Sequence, residues 1–126
     1  MSREVVKTQN APGAVGPYSQ AIIANGFIFT AGQTGTVPGT RELAAGGVEA
    51  QTRQTLENLK AILTAAGSGL ERVVKTTVFL QNMGDFATMN AIYAEYFPND
   101  PPARSTVEVA KLPIGALVEI EAIALV

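Results

Sequence analysis

Apolar positions along the chain follow two periods, and the switches between them outline the elements. Ser19-Gln20-Ala21-Ile22-Ile23-Ala24 and Phe27-Ile28-Phe29-Thr30-Ala31 are β-prone runs separated by Asn25-Gly26. Both residues of that dipeptide tolerate positive φ, so the pattern predicts a tight hairpin. A short strand near Val5-Val6-Lys7-Thr8 precedes it, with Gly16-Pro17 as a bend before Tyr18. Gly32 to Gly47 is rich in Gly, Thr and Pro and reads as a loop. From Val48 to Ala66 the period becomes helical. Val48, Thr52, Thr55, Leu56, Leu59, Ile62, Leu63 and Ala66 share one stripe, Glu49, Arg53, Glu57 and Lys60 lie largely opposite, and Gly67 ends the helix.

Arg72 to Gln81 alternates as a strand, with Val74, Thr76, Val78 and Leu80 on one side and Val73, Lys75, Thr77 and Phe79 on the other. Asp85 is placed to cap a second helix whose apolar face is Phe86, Met89, Ile92, Tyr93 and Tyr96; Pro98, Pro101 and Pro102 stop it. Two strands close the chain, Arg104 to Ala110 and Leu117 to Val126, joined through Leu112-Pro113-Ile114-Gly115. The order is α+β, with both helices on one face of a single sheet. Placing the ionisable sets of the last two strands away from the helices puts Arg104 and Glu119 on the uncovered face, beside Phe79 and Leu117. Such a face is neither solvent surface nor core, and a cyclic oligomer whose neighbouring sheets cover it resolves the conflict and builds pockets between subunits.

Composition narrows the chemistry. The 126 residues suit one domain, residues 1–126, with a core that needs no staples. Neither Cys nor His occurs, so thiolate nucleophiles, disulfides, the commonest metal ligand and the commonest general base are excluded. Nine basic residues against eleven acidic ones, scattered rather than clustered, argue against nucleic acid as a partner. The opening residues lack the apolar core of a signal peptide and no run is long enough to span a membrane, which makes a cytoplasmic location the expectation. At 47% hydrophobic and 16% charged, the chain is apolar for its size, which again points to a subunit interface.

Four residues carry candidate chemistry. Arg104, where a proline-rich turn enters a strand, offers a planar fork that grips a carboxylate; the competing reading is a salt bridge to Glu119 or Glu121. Glu119 could order or deprotonate a water, or be an ordinary polar strand residue. Tyr18 supplies a hydroxyl and an aromatic wall, or simply packs. Lys75 has no surroundings that suit a Schiff base. Gly32-Gln33-Thr34-Gly35-Thr36 lacks the Gly-Lys-Ser/Thr ending of a phosphate loop and reads as a turn. Tyr93, Tyr96 and Phe97, at helical spacing, read as core.

Five segments in order, Gly16-Pro17-Tyr18-Ser19-Gln20, Thr30-Ala31-Gly32-Gln33, Val74-Lys75-Thr76-Thr77-Val78, Pro102-Ala103-Arg104-Ser105 and Val118-Glu119-Ile120-Glu121-Ala122, closely resemble the reactive intermediate deaminase (Rid) family, in its RidA branch, once described as L-PSP-like endoribonucleases. The resemblance runs over nearly the whole chain. It implies a chorismate-mutase-like fold, a homotrimer with three intersubunit sites, and hydrolysis of 2-imino acids and their enamine tautomers, released by pyridoxal-phosphate dehydratases, to 2-oxo acids and ammonia. It implies that Arg104 holds the substrate carboxylate with help from the Thr106 backbone N–H, that Glu119 orients or activates water, and that Tyr18 shapes the pocket. Gly32 and Asn90 match positions of the site or its frame. Family members often carry Ser at the position of Ala31 and Cys at that of Thr106; the first difference bears on substrate range or rate. No cofactor is implied, since a protonated imine is already electrophilic. Two other readings stand beside this one: a non-catalytic trimer that senses 2-oxo acids through the same pocket, and a ribonuclease, against which the acidic pI and missing His count.

Overall fold

Asn25 and Gly26 both take positive φ, 52° and 82°, as a two-residue turn that matches right-handed strand twist requires. They join β2 (Ala21–Ala24) to β3 (Phe27–Thr30) as predicted, Ala24 opposite Phe27. These and all positions below come from a computed structural model describing residues 2–126. The remaining strands are β1 (Glu4–Val6), β4 (Gln33–Thr34), β5 (Val73–Leu80), β6 (Ala103–Glu108) and β7 (Val118–Leu125); the main helices are α1 (Gly47–Ala65) and α2 (Phe86–Tyr96). All strands form one sheet in the order β1-β2-β3-β7-β5-β6, with β4 also on β7. Among the described residues only β5 and β6 pair in parallel, and the connection between them carries α2.

Both helices pack on one face of this mixed sheet, as expected. Leu56, Leu59, Ile62 and Leu63 of α1, Met89 of α2, and Ile28, Val78, Leu80, Val118 and Ile120 of the sheet are fully buried between the layers. The other face has no helix. Phe29 is 44% exposed there and Val107 42%, alongside Phe27 and Leu125.

The structure corrects three details. Val74 leaves the buried set because the β5–β7 register shifts between Val73 and Lys75, which returns Val73 to the core side. Asp85 precedes α2 but its side chain caps nothing; the Asn82 side chain accepts from Gly84 N–H at 2.8 Å in the preceding turn. The predicted Gly32–Gly47 loop contains β4, paired through Gln33 with Ile120 and Thr34 with Glu119.

What holds that loop is a polar layer on the buried side of α1. Asn58, essentially inaccessible, donates through Nδ2 to the carbonyls of Thr34 (3.1 Å) and Thr36 (2.9 Å) and accepts from Gln54 Nε2. Gln51 Oε1 accepts from Leu117 N–H at 2.9 Å, just before β7. Gly35 lies so close to α1 that a Cβ there would stand 2.6 Å from the Cα and the carbonyl oxygen of Gln51. Buried carbonyls must be paired, so the Asn58→Ala variant, with two orphaned, is expected to lose about 1–3 kcal/mol of unfolding free energy. A urea midpoint equal to that of the wild type would show that the clamp is unimportant.

Candidate functional site

The site around Glu119 is built by a mismatch between strands. Between the pairs Phe29↔Ile123 and Gln33↔Ile120, the stretch Thr30–Gly32 opposes only Glu121 and Ala122. The extra residue is a bulge. Thr30 Oγ1 accepts from Ala122 N–H at 2.9 Å, and Ala31 N–H donates to the Gln20 carbonyl at 2.9 Å. Gly32 then passes directly over Glu119. A Cβ on Gly32 would lie 2.5 Å from Glu119 Oε2, so a side chain there would displace the carboxyl from its present position.

Tyr18 reaches the same place from the bend before β2. Its N–H donates to the Gly16 carbonyl at 2.8 Å, and its hydroxyl accepts from Val15 N–H at 3.3 Å. Buried Gln20 fixes the preceding segment, accepting from Thr8 N–H at 2.7 Å and donating to the Pro12 carbonyl at 2.8 Å. The result is a cavity of about 220 Å³ whose wall includes Tyr18, Gly32, Thr34, Thr36, Arg41 and Glu119.

Glu119 is half-buried in this wall. Burial, and secondarily the like charge of Glu121 two positions along β7, raise its pKa above the ordinary carboxylate value. A carboxyl displaced upward transfers protons more readily near neutrality and suits a general base or acid.

Arg104 lies elsewhere, and here the sequence-based assignment of faces is overturned. In the parallel pair β5–β6, Arg104 stands opposite Thr76, whose side chain is fully buried under the helices. Glu119 stands opposite Phe79, on the other face. Arg104 therefore points to the α2 side, its guanidinium carbon 4.7 Å from the Tyr93 ring centroid and 5.6 Å from that of Phe86. Both distances suit cation–π attraction. Tyr93 is held by a 2.7 Å bond between its hydroxyl and Thr76 Oγ1.

Arg104 has no counter-ion among the described residues. The only ion pairs there join Arg53 to Glu49 and Glu95, so the alternative of a salt bridge from Arg104 to Glu119 or Glu121 is not realised within one chain. Thr106, on the same face, has a buried hydroxyl oxygen without a partner. Asn90 lies between Phe86 and Tyr93 on one stripe of α2, half-buried. A guanidinium held over aromatic rings and lacking a carboxylate partner in its own chain keeps its planar fork free.

The structure thus divides the predicted residues into two groups. Tyr18, Gly32 and Glu119 share the cavity; Arg104, Thr106 and Asn90 cluster beyond the opposite face. Ala31 lies in the bulge behind Gly32. Lys75, on the uncovered face, donates to Ser105 Oγ at 3.3 Å. A larger cleft of about 590 Å³, lined by Lys60, Glu71, Glu95 and Asp100 among others, contains none of the candidates. Arg41 and Thr36 are cavity residues that the sequence analysis missed. Their only signal is the Gly-rich segment read as a plain turn, since nothing local shows that α1 clamps it over β7.

A single mixed sheet with both helices on one face, carrying an acid in a bulge-built pocket and an aromatic-backed arginine on its edge strand, makes this an α+β protein. The model of the family described as endoribonuclease L-PSP matches residues 8–126, and the chain belongs to that family, to which the Rid-like motifs point. It is similar to a RutC family protein of Pyrococcus horikoshii, 57% identical with 97% of each chain covered. It is 47% identical to the human 2-iminobutanoate/2-iminopropanoate deaminase, covering 98% of this chain and 90% of that one. The structure of Escherichia coli TdcF with bound serine superposes with a TM-score of 0.93 at 44% identity, covering 98% of each chain.

A carboxyl whose pKa is raised by folding favours the folded state while protonated. That contribution is complete below the unfolded value, the ordinary range of about 4.3, and is lost as pH rises through the raised folded value. Glu119→Gln should therefore raise the urea midpoint near neutral pH and leave it almost unchanged at about pH 3. An equal shift at both pH values would remove the electrostatic explanation.

Proposed function

We propose that the protein is a 2-iminobutanoate/2-iminopropanoate deaminase, hydrolysing the reactive 2-imino acids and enamines released by pyridoxal-phosphate dehydratases in the cytoplasm. It acts as a homotrimer in which the Arg104 cluster of one subunit meets the Glu119 pocket of the next. The observation that carries this reading is the division of the site. One chain holds an arginine without a carboxylate partner of its own and, across the sheet, a half-buried acid in a cavity, and a second copy would bring the two together. The exposed apolar residues of the helix-free face, Phe29 and Val107 among them, supply surface for that association.

In the completed site Arg104 grips the substrate carboxylate bidentately, helped by the Thr106 N–H, while Asn90 frames the guanidinium. Tyr18 and Gly32 border the imine, and Ala31 sets the bulge behind it. Enamine substrates first take a proton at carbon to become imines. Glu119 orients a water and accepts its proton as oxygen bonds to C2. The carbinolamine then collapses, the C–N bond breaks as nitrogen takes a proton, and ammonia and the 2-oxo acid leave. Because the protonated imine is already electrophilic, placement of carboxylate and water is the main demand, and these steps draw on no cofactor.

The test generates 2-iminobutanoate with threonine dehydratase and traps surviving imine with semicarbazide. Arg104→Ala and Glu119→Ala should each reduce the acceleration by about a hundredfold or more. No acceleration by the wild type would exclude the deaminase; full acceleration by Arg104→Ala would exclude the site. Mixing the two inactive variants with subunit exchange should restore about a quarter of wild-type activity, since one random pairing in four joins an intact Arg104 to an intact Glu119. No recovery despite demonstrated exchange would place both residues in a site formed by one subunit.

A further inference from the structure

We propose that Tyr93 is a positioning residue for the imine hydrolysis: its ring sets the orientation of the Arg104 guanidinium and so determines how tightly the substrate carboxylate is held. The inference rests on the deaminase reading above and gives a role to a helix residue whose spacing alone reads as core.

Arg104 is carried by β6, the strand at one end of the sheet order. An arginine side chain has several free torsions, and its fork grips a carboxylate bidentately only when the guanidinium plane is set. No carboxylate among the described residues sets it. Two aromatic rings lie against it instead, with the guanidinium carbon 4.7 Å from the Tyr93 centroid and 5.6 Å from that of Phe86. A ring attracts the cation through its face and leaves the N–H fork free for an anion.

Of the two rings, Tyr93 is the fixed one. It is 5% exposed, against 36% for Phe86. Its hydroxyl lies 2.7 Å from Thr76 Oγ1, and Thr76 is the β5 residue directly opposite Arg104. The ring is therefore anchored to the sheet at the same rung as the side chain it supports. Phe97 packs against it, with centroids 4.6 Å apart. A ring held by its helix, its hydroxyl and a neighbouring ring cannot follow a moving guanidinium, so the guanidinium settles on the ring.

Hydroxyl and ring face have separate consequences. The hydroxyl bond serves the fold, since removing it leaves Thr76 buried and unpaired. The ring face serves Arg104. The substrate carboxylate does not react, and its contact with Arg104 is made equally in ground and transition states. Loosening that contact therefore raises KM and leaves kcat nearly unchanged.

The experiment separates the two by chemistry at one position. Tyr93→Phe keeps the ring and loses the hydroxyl. A trifluorinated phenylalanine incorporated in place of Tyr93 keeps nearly the same shape and withdraws electron density from the ring face. KM and kcat are measured with 2-iminobutanoate made by threonine dehydratase, and Kd by calorimetry with 2-oxobutanoate, a carboxylate that needs no turnover. Tyr93→Phe should lower the urea midpoint yet stay within about twofold of wild type in KM and Kd. The fluorinated variant should share the midpoint of Tyr93→Phe and exceed it about fivefold in KM and Kd, with kcat within about twofold. In an Arg104→Ala background fluorination should leave kcat/KM unchanged, because the ring acts only through the guanidinium. Equal KM and Kd in the two ring variants overturn the assignment and leave the deaminase intact, as does a fluorine effect that persists without Arg104. A wild type that accelerates no imine overturns both readings.

Discussion

Thr76 and Phe79 stand three positions apart in β5, an odd number, so their side chains leave the sheet on opposite faces. Everything about the site follows from which residues pair with them. Arg104 is opposite Thr76 and Glu119 is opposite Phe79. Since the side-chain period is two, a slip of one residue in either register would bring the cation and the acid to the same face and allow an internal salt bridge. Between β5 and β7 the core excludes that slip, because Val118 and Ile120 would leave the interior they share with Val78 and Leu80. Burial of aliphatic residues therefore keeps Arg104 and Glu119 apart within one chain.

The acid half-site depends on absent atoms as much as on present ones. Gly32 leaves the space that the Glu119 carboxyl fills, and Gly35 lets the following segment lie against α1. Asn58 and Gln51 then hold the loop and the approach to β7 by hydrogen bonds from inside the molecule. This rigidity allows a half-buried carboxyl to keep a displaced pKa, since a mobile loop would admit water and return Glu119 to its ordinary range. It also carries Arg41 to the cavity rim on a turn braced by Thr40.

The cationic half-site uses α2 for two purposes. Met89 and Ile92 bury the helix against the sheet, while Phe86 and Tyr93 form the surface on which the Arg104 guanidinium rests. Phe86 is only partly covered, so the helix stripe that reads as core extends past the core to support the Arg104 side chain. Aromatic faces orient a guanidinium without neutralising it, whereas a carboxylate would occupy the fork that an external anion needs.

Local order was legible in the residues. The Asn25-Gly26 hairpin, the α1 stripe, the proline stop after α2 and the alternation in β7 and in β5 from Thr76 onward each rest on interactions within a few positions, and the structure reproduces them. The motifs that mark the family are likewise read directly from the chain, as is the absence of His and Cys that restricts the chemistry to arginine, carboxylate and water. Alternation sorts each strand into two sets but carries no information about which set of β6 shares a face with which set of β7. That match is set by long-range pairing and by the aliphatic burial that selects it. For the same reason the cavity wall shared by Tyr18 and Glu119, the bulge at Ala31-Gly32 and the placement of Arg104 over Tyr93 belong to the tertiary structure, where residues distant in sequence become neighbours.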